Sequence, residues 1–591
     1  MLYPQQNRLR HAVDISGLWR FQVDPDGVGE AQGWHDHLPA PRTIAVPGSW
    51  NEQFEDTRDY LGAAWYATEV HVPAAWHGHR VLIRVGSANY AARVWANGTE
   101  VGGHEGGHLP FVVDITDHVN WDGPTRLAIR VENELLVTRV PPGAGPGGGM
   151  LGSFPATTYD FFPYAGIHRP VHLIAVPACH IDAVTVTTTL HGADGRVHVD
   201  VRTNVSWDGV GEVTLVDGPR TFHVPVNIGG GHATAVVEVP DARPWCPEDP
   251  HLCTLTVRLF DGHGEATDAY ALEVGIRTIE VRGDRLLLNG KPIFLKGFGK
   301  HEDFPIYGRG LALPVLVRDH ALLRWVGANS YRTAHYPYAD EALQLCDREG
   351  ILVISEIPAV GLGFADPPDV IAARRERCEA QLDELIARDR NHPSVIMWSV
   401  ANEPFPISFL RPVADDDPAA VAGATFLGGL IGRAHAADPS RPATVVALHD
   451  TPMSWLRLSD VVCINRYYGW YMQTGQTAEG AGKLAAELDA IHAELGRPMI
   501  VAEFGADTLP GHHAVPPEMF SEEYQVEFLR GYLDVADARP FVVGMHVWNF
   551  ADFKTAQGVM RPGGMNHKGV FTRDRRPKMA AHFLRDRWGG R

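Results

Sequence analysis

Two glutamates close short, apolar runs: Glu403 in Val395-Ile-Met-Trp-Ser-Val-Ala-Asn402-Glu403-Pro, and Glu503 in Met499-Ile-Val-Ala-Glu503-Phe-Gly. Runs of this length and composition read as strands buried on both faces. A carboxyl at the C-terminal tip of a parallel-barrel strand sits at the face where such barrels do their chemistry. One carboxylic acid and one carboxylate across a sugar ring are the minimum equipment for cutting a glycosidic bond. A lone strand-end Glu is as easily explained by solvation. Two of them, with Asn402 before the first, are not. They lie one hundred positions apart (503 − 403), so only the fold can bring them together.

The elements that would do so are legible from residue 278 onward. Strand-like runs begin at Ile293, Asn329, Ile351, Val395, Thr444, Val461, Met499 and Val542, with helical patterns between them. One helix is predicted over Asp340–Glu349, with Asp340 as N-cap and Gly350 just past its end. Another is predicted from Arg377 to Arg390, with Cys378, Leu382, Leu385 and Ile386 on one face. Eight βα units make a (β/α)8 TIM barrel, and Glu403 and Glu503 then end its fourth and seventh strands. Residues 1–178 read as short alternating strands with Asn97-Gly98 and Asp122-Gly123 turns, a jelly-roll-like β-sandwich. Within it, Pro141 to Gly149 reads as a long functional loop, because the strand-like Ile167–Ile174 after it belongs to the same sandwich. Residues 179–277 give a second all-β segment of immunoglobulin-like size. The fold class is therefore multidomain, β plus α/β.

A chain of 591 residues exceeds one core, and no apolar stretch is long enough for a membrane span. The N-terminus has no apolar signal region, and the six cysteines show no paired spacing, which fits reduced thiols in a cytoplasmic protein. On the same ground the sequon-like Asn97-Gly-Thr and Asn204-Val-Ser read as chance. The net charge of −19 argues against nucleic acid or an anionic membrane as partner. Histidine pairs such as His35/His37 and His104/His108 sit in Gly- and Asp-rich contexts without a second matching pair, so they read as surface histidines and no catalytic metal is predicted.

The order sandwich, immunoglobulin-like domain and barrel resembles glycoside hydrolase family 2 over essentially the whole chain. The motifs carrying the resemblance are Val46-Pro-Gly-Ser-Trp50-Asn, Trp245-Cys-Pro-Glu-Asp-Pro250-His-Leu, Lys296-Gly-Phe-Gly-Lys-His301-Glu-Asp, Ser330-Tyr-Arg332-Thr-Ala-His335-Tyr-Pro-Tyr and Asn391-His-Pro-Ser. Within the family, Asn465-Arg-Tyr467-Tyr-Gly-Trp-Tyr471, Val547-Trp548-Asn-Phe-Ala-Asp-Phe and Asn566-His567-Lys568-Gly-Val-Phe resemble the β-glucuronidases. The resemblance implies retention of configuration, with Glu403 as acid/base and Glu503 as nucleophile. It further implies no required cofactor and usually a homotetramer.

In a retaining mechanism the two carboxyls stand about 5 Å apart, and such neighbours do not both ionise cheaply. Asn402 is expected to meet the sugar 2-hydroxyl. Arg332 is expected to orient the nucleophile, or to form a structural ion pair in the barrel, or both. His335 reads as a partner of a sugar hydroxyl or as a satisfied loop histidine. A uronic acid carries a carboxylate that a protein of charge −19 must meet with local cations; Lys568 and Asn566 supply an ammonium and an amide from one loop, and Arg561 a second cation. The stretch from Arg561 to Asn566 is one residue longer than the family pattern. Tyr467, Tyr471 and Trp548 offer flat faces and hydroxyls for a pyranose. Asp160 matches a sandwich residue that reaches over to bind sugar hydroxyls. The short, Gly- and Pro-rich segment from Pro358 to about Arg375 lacks the lid that longer members carry over the aglycone. The predicted partners are thus β-glucuronide small molecules or glycan ends. The alternatives are a β-galacturonidase, a β-galactosidase, or a catalytically inactive carbohydrate-binding protein on the same scaffold.

Overall fold

The computed structural model describes residues 2–144, 152–408 and 411–589. Strands from His11–Asp14 to Val171–Val176 form two antiparallel sheets of four and six strands. Alternate residues of each strand point inward, and Trp19, Phe21, Trp50, Tyr66, Ile83 and Ile129 fill the space between the sheets. The Asn97-Gly98 turn is made as its sequence dictates. Both residues take positive φ (47° and 81°) and join Ala91–Ala96 to Thr99–Glu105 as a hairpin. Val171–Val176 pairs with both His11–Asp14 and Arg80–Val85, so the chain returns to the first sandwich after the Pro141–Gly149 run. Residues 145–149 of that run lie outside the described residues. Its start packs back on the sandwich through a bridge between Gly143 and Thr157.

The second sandwich pairs Ile181–His191, Asp194–Thr203 and His232–Val239 in one sheet. Its other sheet holds Arg220–Ile228, Gly209–Asp217, Cys253–Phe260 and Ala266–Val274. Its core is almost entirely Val, Leu and Ile.

The barrel closes through eight parallel strands: Leu295–Gly299, Ser330–Arg332, Leu352–Glu356, Val395–Asn402, Ala443–Ala447, Val462–Asn465, Met499–Phe504 and Val542–Val547. Every residue of the fourth and seventh strands is buried, which is why their sequences are apolar without alternation. Inward residues Leu295, Ile354, Ile396, Val446 and Ile500 cluster with Trp245, Leu286 and Leu288, which close the end opposite the site. Trp245 also donates its indole N–H to the Asp347 carbonyl at 2.8 Å, and Asn391 exchanges two hydrogen bonds with the backbone of Val184 and Val186. Those two motifs therefore dock the second sandwich on the barrel. Among the described residues no helix is long and apolar enough to cross a membrane.

Three expectations need correction. Asp340 is the first helical residue and not the cap, which is Ala339. Its carboxylate is turned instead to Arg84 of the first sandwich at 3.1 Å, in a buried ion pair. The helix expected from Arg377 begins at Pro368, because Pro at the first turn followed by Asp369 is itself a helix start. The connection after the third strand is correspondingly shorter, residues 357–367, and it packs along the fourth strand through bridges Val360–Asn402 and Gly363–Phe405. His108 is buried and not a surface histidine. It stacks on Tyr336 at 4.9 Å and lies 3.2 Å from the Arg309 guanidinium, joining sandwich to barrel.

Candidate active site

Glu403 and Glu503 both emerge at the C-terminal face of the barrel, from strands four and seven. Glu403 has a left-handed backbone (φ 50°), unusual for a residue with a side chain. Its own N–H bonds the Val446 carbonyl at 2.8 Å and that of Asn402 bonds Ala359 at 2.9 Å, so the fifth strand and the loop after the third hold it in place. The Asn465 amide, at the end of strand six, donates to the Glu403 carboxyl at 2.9 Å and to Asn402 Oδ1 at 3.2 Å. Arg332 Nη1 lies 3.4 Å from the same Asn402 oxygen. Asn402 thus sits between the two carboxyl groups.

Glu503 is surrounded by stronger donors. Arg332 Nη2 bonds one oxygen and the Tyr467 hydroxyl bonds the other at 2.6 Å; His335 Nε2 is 3.6 Å away. Arg332 therefore makes both contacts considered for it, one to Glu503 and, through Nη1 at 2.7 Å, a buried ion pair with Glu356. His335 is tied by Nδ1 to Glu356 at 2.8 Å and stacks on Trp548, centroids 5.0 Å apart. Trp548 fits because residue 299 is glycine: a Cβ there would come within 2.4 Å of the indole. Tyr467, one of three aromatics expected to offer faces and hydroxyls to a pyranose, turns its hydroxyl to the Glu503 carboxylate.

Burial raises both carboxyls, Glu503 to about 8, with the Glu403 charge adding and Arg332 and Tyr467 opposing. The two titrate as a pair. Burial raises Glu503 strongly, but hydrogen bonding decides where a single proton sits: a guanidinium and a phenol bond the Glu503 carboxylate directly, whereas Glu403 is bonded by an amide and feels Arg332 and Arg466 only at a distance, so the proton belongs on Glu403. Burial also lowers the His335 imidazole to about 4, so it is neutral at physiological pH.

A second cluster forms beside this pair. Lys568 is 1% exposed; its ammonium bonds Asp507 and donates to the Tyr471 hydroxyl at 2.8 Å. Arg561 donates to the same hydroxyl at 2.9 Å and clasps Asp160 with two nitrogens, Nε at 2.8 Å. Asn566 donates to Asp160 at 2.9 Å and accepts the Lys568 N–H at 3.1 Å. Between Arg561 and Asn566 the chain makes a turn in which Gly563 and Gly564 both have positive φ. Lys568 and Arg561 hold Asp507 below the ordinary carboxylate range despite its burial. Asp160 reaches the barrel because its neighbour Phe161 packs on His301, His335 and Tyr336.

All twelve residues singled out from the sequence thus fall into two adjoining clusters. Three that it passed over join them: Glu356, Asn465 and Asp507. Glu356 and Asn465 end barrel strands, the same signal that marked Glu403 and Glu503; Asp507 follows Glu503 by four positions. One group of described residues has three metal-ligand atoms within 4.8 Å of one another, Asp217, His251 and Cys253. It belongs to the second sandwich, and Arg220 already bonds the Asp217 carboxylate.

Two β-sandwiches followed by a closed barrel, with a carboxyl pair among sugar-sized polar partners at its C-terminal face, define a glycoside hydrolase. Sequence profiles of glycosyl hydrolases family 2 match in three parts: the sugar binding domain over residues 13–177, the family's middle domain over 179–277 and its TIM barrel domain over 279–590. The β-glucuronidase of Paenibacillus borealis is 42% identical over 610 residues, covering 100% of this chain and 98% of that one. The crystal structure of Ruminococcus gnavus β-glucuronidase superposes with a TM-score of 0.92 at 37% identity, covering 100% of this chain and 99% of the other. The same enzyme in complex with D-glucuronic acid gives 0.91 at 37% identity, covering 99% of each chain. The chain belongs to glycosyl hydrolase family 2.

Proposed function

We propose that this chain is a retaining, exo-acting β-glucuronidase, hydrolysing terminal β-D-glucuronides by double displacement. The observation that carries the reading is the buried Lys568–Asn566–Arg561 cluster beside the carboxyl pair. An ammonium and a guanidinium converging on one tyrosine hydroxyl suit a carboxylate, and a neutral hexose has no group of that charge. The names of the family relatives and the glucuronic acid complex of the R. gnavus enzyme support the same substrate class.

In the first step Glu503 attacks the anomeric carbon while Glu403 gives its proton to the departing oxygen, leaving a covalent glycosyl-enzyme. In the second, Glu403 takes a proton from water, whose oxygen displaces Glu503 and restores both groups. Asn402 faces the sugar 2-hydroxyl and Asp160 its remaining hydroxyls. The short connection at residues 357–367 supports an open leaving-group side with loose selectivity for large aglycones.

The segregation of the sheets supports boundaries at 1–178, 179–277 and 278–591. Six free cysteines support a reducing, cytoplasmic setting, and the family resemblance supports a homotetramer, which light scattering tests directly.

The decisive experiment compares chromogenic aryl β-D-glucuronide, galacturonide and galactoside, with the parent chain and with Lys568→Ala. The glucuronide should be preferred strongly. The variant should lose about 100-fold or more of that kcat/KM, with little change on the galactoside, as for removal of a buried charged partner. A preference for galactoside that ignores Lys568 would leave the glycosidase standing and remove the uronate. An active galacturonide would move the assignment to the epimer.

A further inference from the structure

Glu356 ends the third barrel strand, is 0% exposed and reaches no open space, yet it holds the charged groups that face Glu503. Its two oxygens accept from Arg332 Nη1 at 2.7 and 2.9 Å, from His335 at 2.8 Å and from the Ser399 hydroxyl at 2.6 Å. Its backbone N–H donates to Thr333 Oγ1 at 2.9 Å. Side chains from strands two and four and from the loop after strand two therefore converge on it.

We propose that Glu356 is a positioning residue for glycoside cleavage: it fixes the Arg332 guanidinium and the His335 imidazole against Glu503, and it shares the charge of Arg332 between two carboxylates. The proposal rests on the functional reading above.

The geometry gives Glu356 two effects. The first concerns His335. Nδ1 lies 2.8 Å from a Glu356 oxygen, which accepts only, and 3.0 Å from Arg332 Nη1, which donates only; the Glu356 carboxylate favours the neutral ring whose Nδ1 carries the proton and whose Nε2 presents a lone pair. That nitrogen, 3.6 Å from Glu503, is thereby set to accept a hydroxyl proton from the sugar. The second effect is electrostatic. Arg332 is fully buried and bonds Glu356 through Nη1 and Glu503 through Nη2. With one carboxylate removed, the whole guanidinium charge acts on Glu503, making it a weaker nucleophile. The titratable and charged groups around these two carboxylates are Arg332, His335, Glu403, Tyr467 and Cys463, with His546 beside Arg332. None of them supplies a second negative charge to Arg332 in place of Glu356.

The test uses the full-length chain, Glu356→Gln, Glu356→Asp and Ser399→Ala, with aryl β-D-glucuronide across pH and calorimetry with D-glucuronic acid. For Glu356→Gln, kcat should fall about 100-fold, the cost of a misplaced reacting group. KM and the Kd for glucuronic acid should stay within about threefold, because Glu356 touches no sugar. Both limbs of the pH profile should move down by about one unit, since removing a negative charge eases ionisation of Glu503 and Glu403 alike. Glu356→Asp keeps the charge, so its limbs should stay in place while kcat is only partly restored; Ser399→Ala should cost about tenfold in kcat with sugar binding intact.

An active parent with Glu356→Gln at near-parental kcat would overturn the positioning role alone. So would a parallel loss of kcat, KM, sugar binding and thermal stability with unmoved limbs, the pattern of a merely structural residue. Should Glu356→Gln fail to fold, the other two variants decide: parental kcat in both overturns the proposal. A parent inactive on every glycoside overturns the functional reading, and the proposal with it.

Discussion

Glu403 and Glu503 were readable because each closes a run of barrel-strand residues, at the face where such barrels do their chemistry. Glu356 closes an equally clear run, Leu352–Glu356, but nothing in the chain says that Arg332 and His335 converge on it. The partner of the Tyr467 hydroxyl was hidden for a related reason: composition shows an aromatic ring with a hydroxyl, while the direction in which that hydroxyl points is a property of the fold. The different donors around the two carboxyls also fix the pH response. Burial raises both, so the pair keeps one proton to higher pH than separate carboxyls in water would. The rate should fall as pH rises above the ordinary carboxylate range, where the proton held by Glu403 is lost. With an activated aryl leaving group that needs no protonation, Glu403→Gln should abolish this alkaline limb. A limb that persists in the variant would assign it to another group.

Among the elements, the barrel strands were legible because each is a short run between helical patterns, most of them apolar and β-branched. Helix ends were less so, since the Pro367-Pro368-Asp369 start competes with the reading of a Gly- and Pro-rich loop. The strand ends also place the aromatics. Trp548 leans over the tip of strand one, where Gly299 leaves room, and its ring supports His335. Gly299 has no left-handed φ, so alanine is tolerated by the backbone and only the space is lost. Gly299→Ala should therefore displace the indole and its stacked imidazole. The expected destabilisation is about 1–3 kcal/mol from overpacking, with kcat falling about tenfold or more. Thermal melts and steady-state kinetics on aryl glucuronide measure the two effects, and an unchanged kcat would show that Trp548 does not set the position of His335.

At the scale of the whole molecule, two charge distributions oppose each other. The chain carries −19, yet the sugar site gathers Lys568 and Arg561 against the buried Asp507 and the half-buried Asp160. The residues that reconcile them come from both ends of the chain: Asp160 is in the first sandwich and Arg561 in the barrel, and sequence distance hid their bond entirely. An anionic glucuronide must approach through the protein's net repulsion, which reaches about 30 Å at 0.01 M salt and about 10 Å at 0.1 M. The contacts that then hold it are short and buried, where salt screens far less. Raising ionic strength across that range should thus increase kcat/KM for aryl glucuronide, by about threefold for a charge of this size, chiefly through KM. The neutral galactoside, however slowly cleaved, should show no such trend. A kcat/KM for glucuronide that falls with salt would mean instead that local attraction at the site mouth extends into solvent and governs capture.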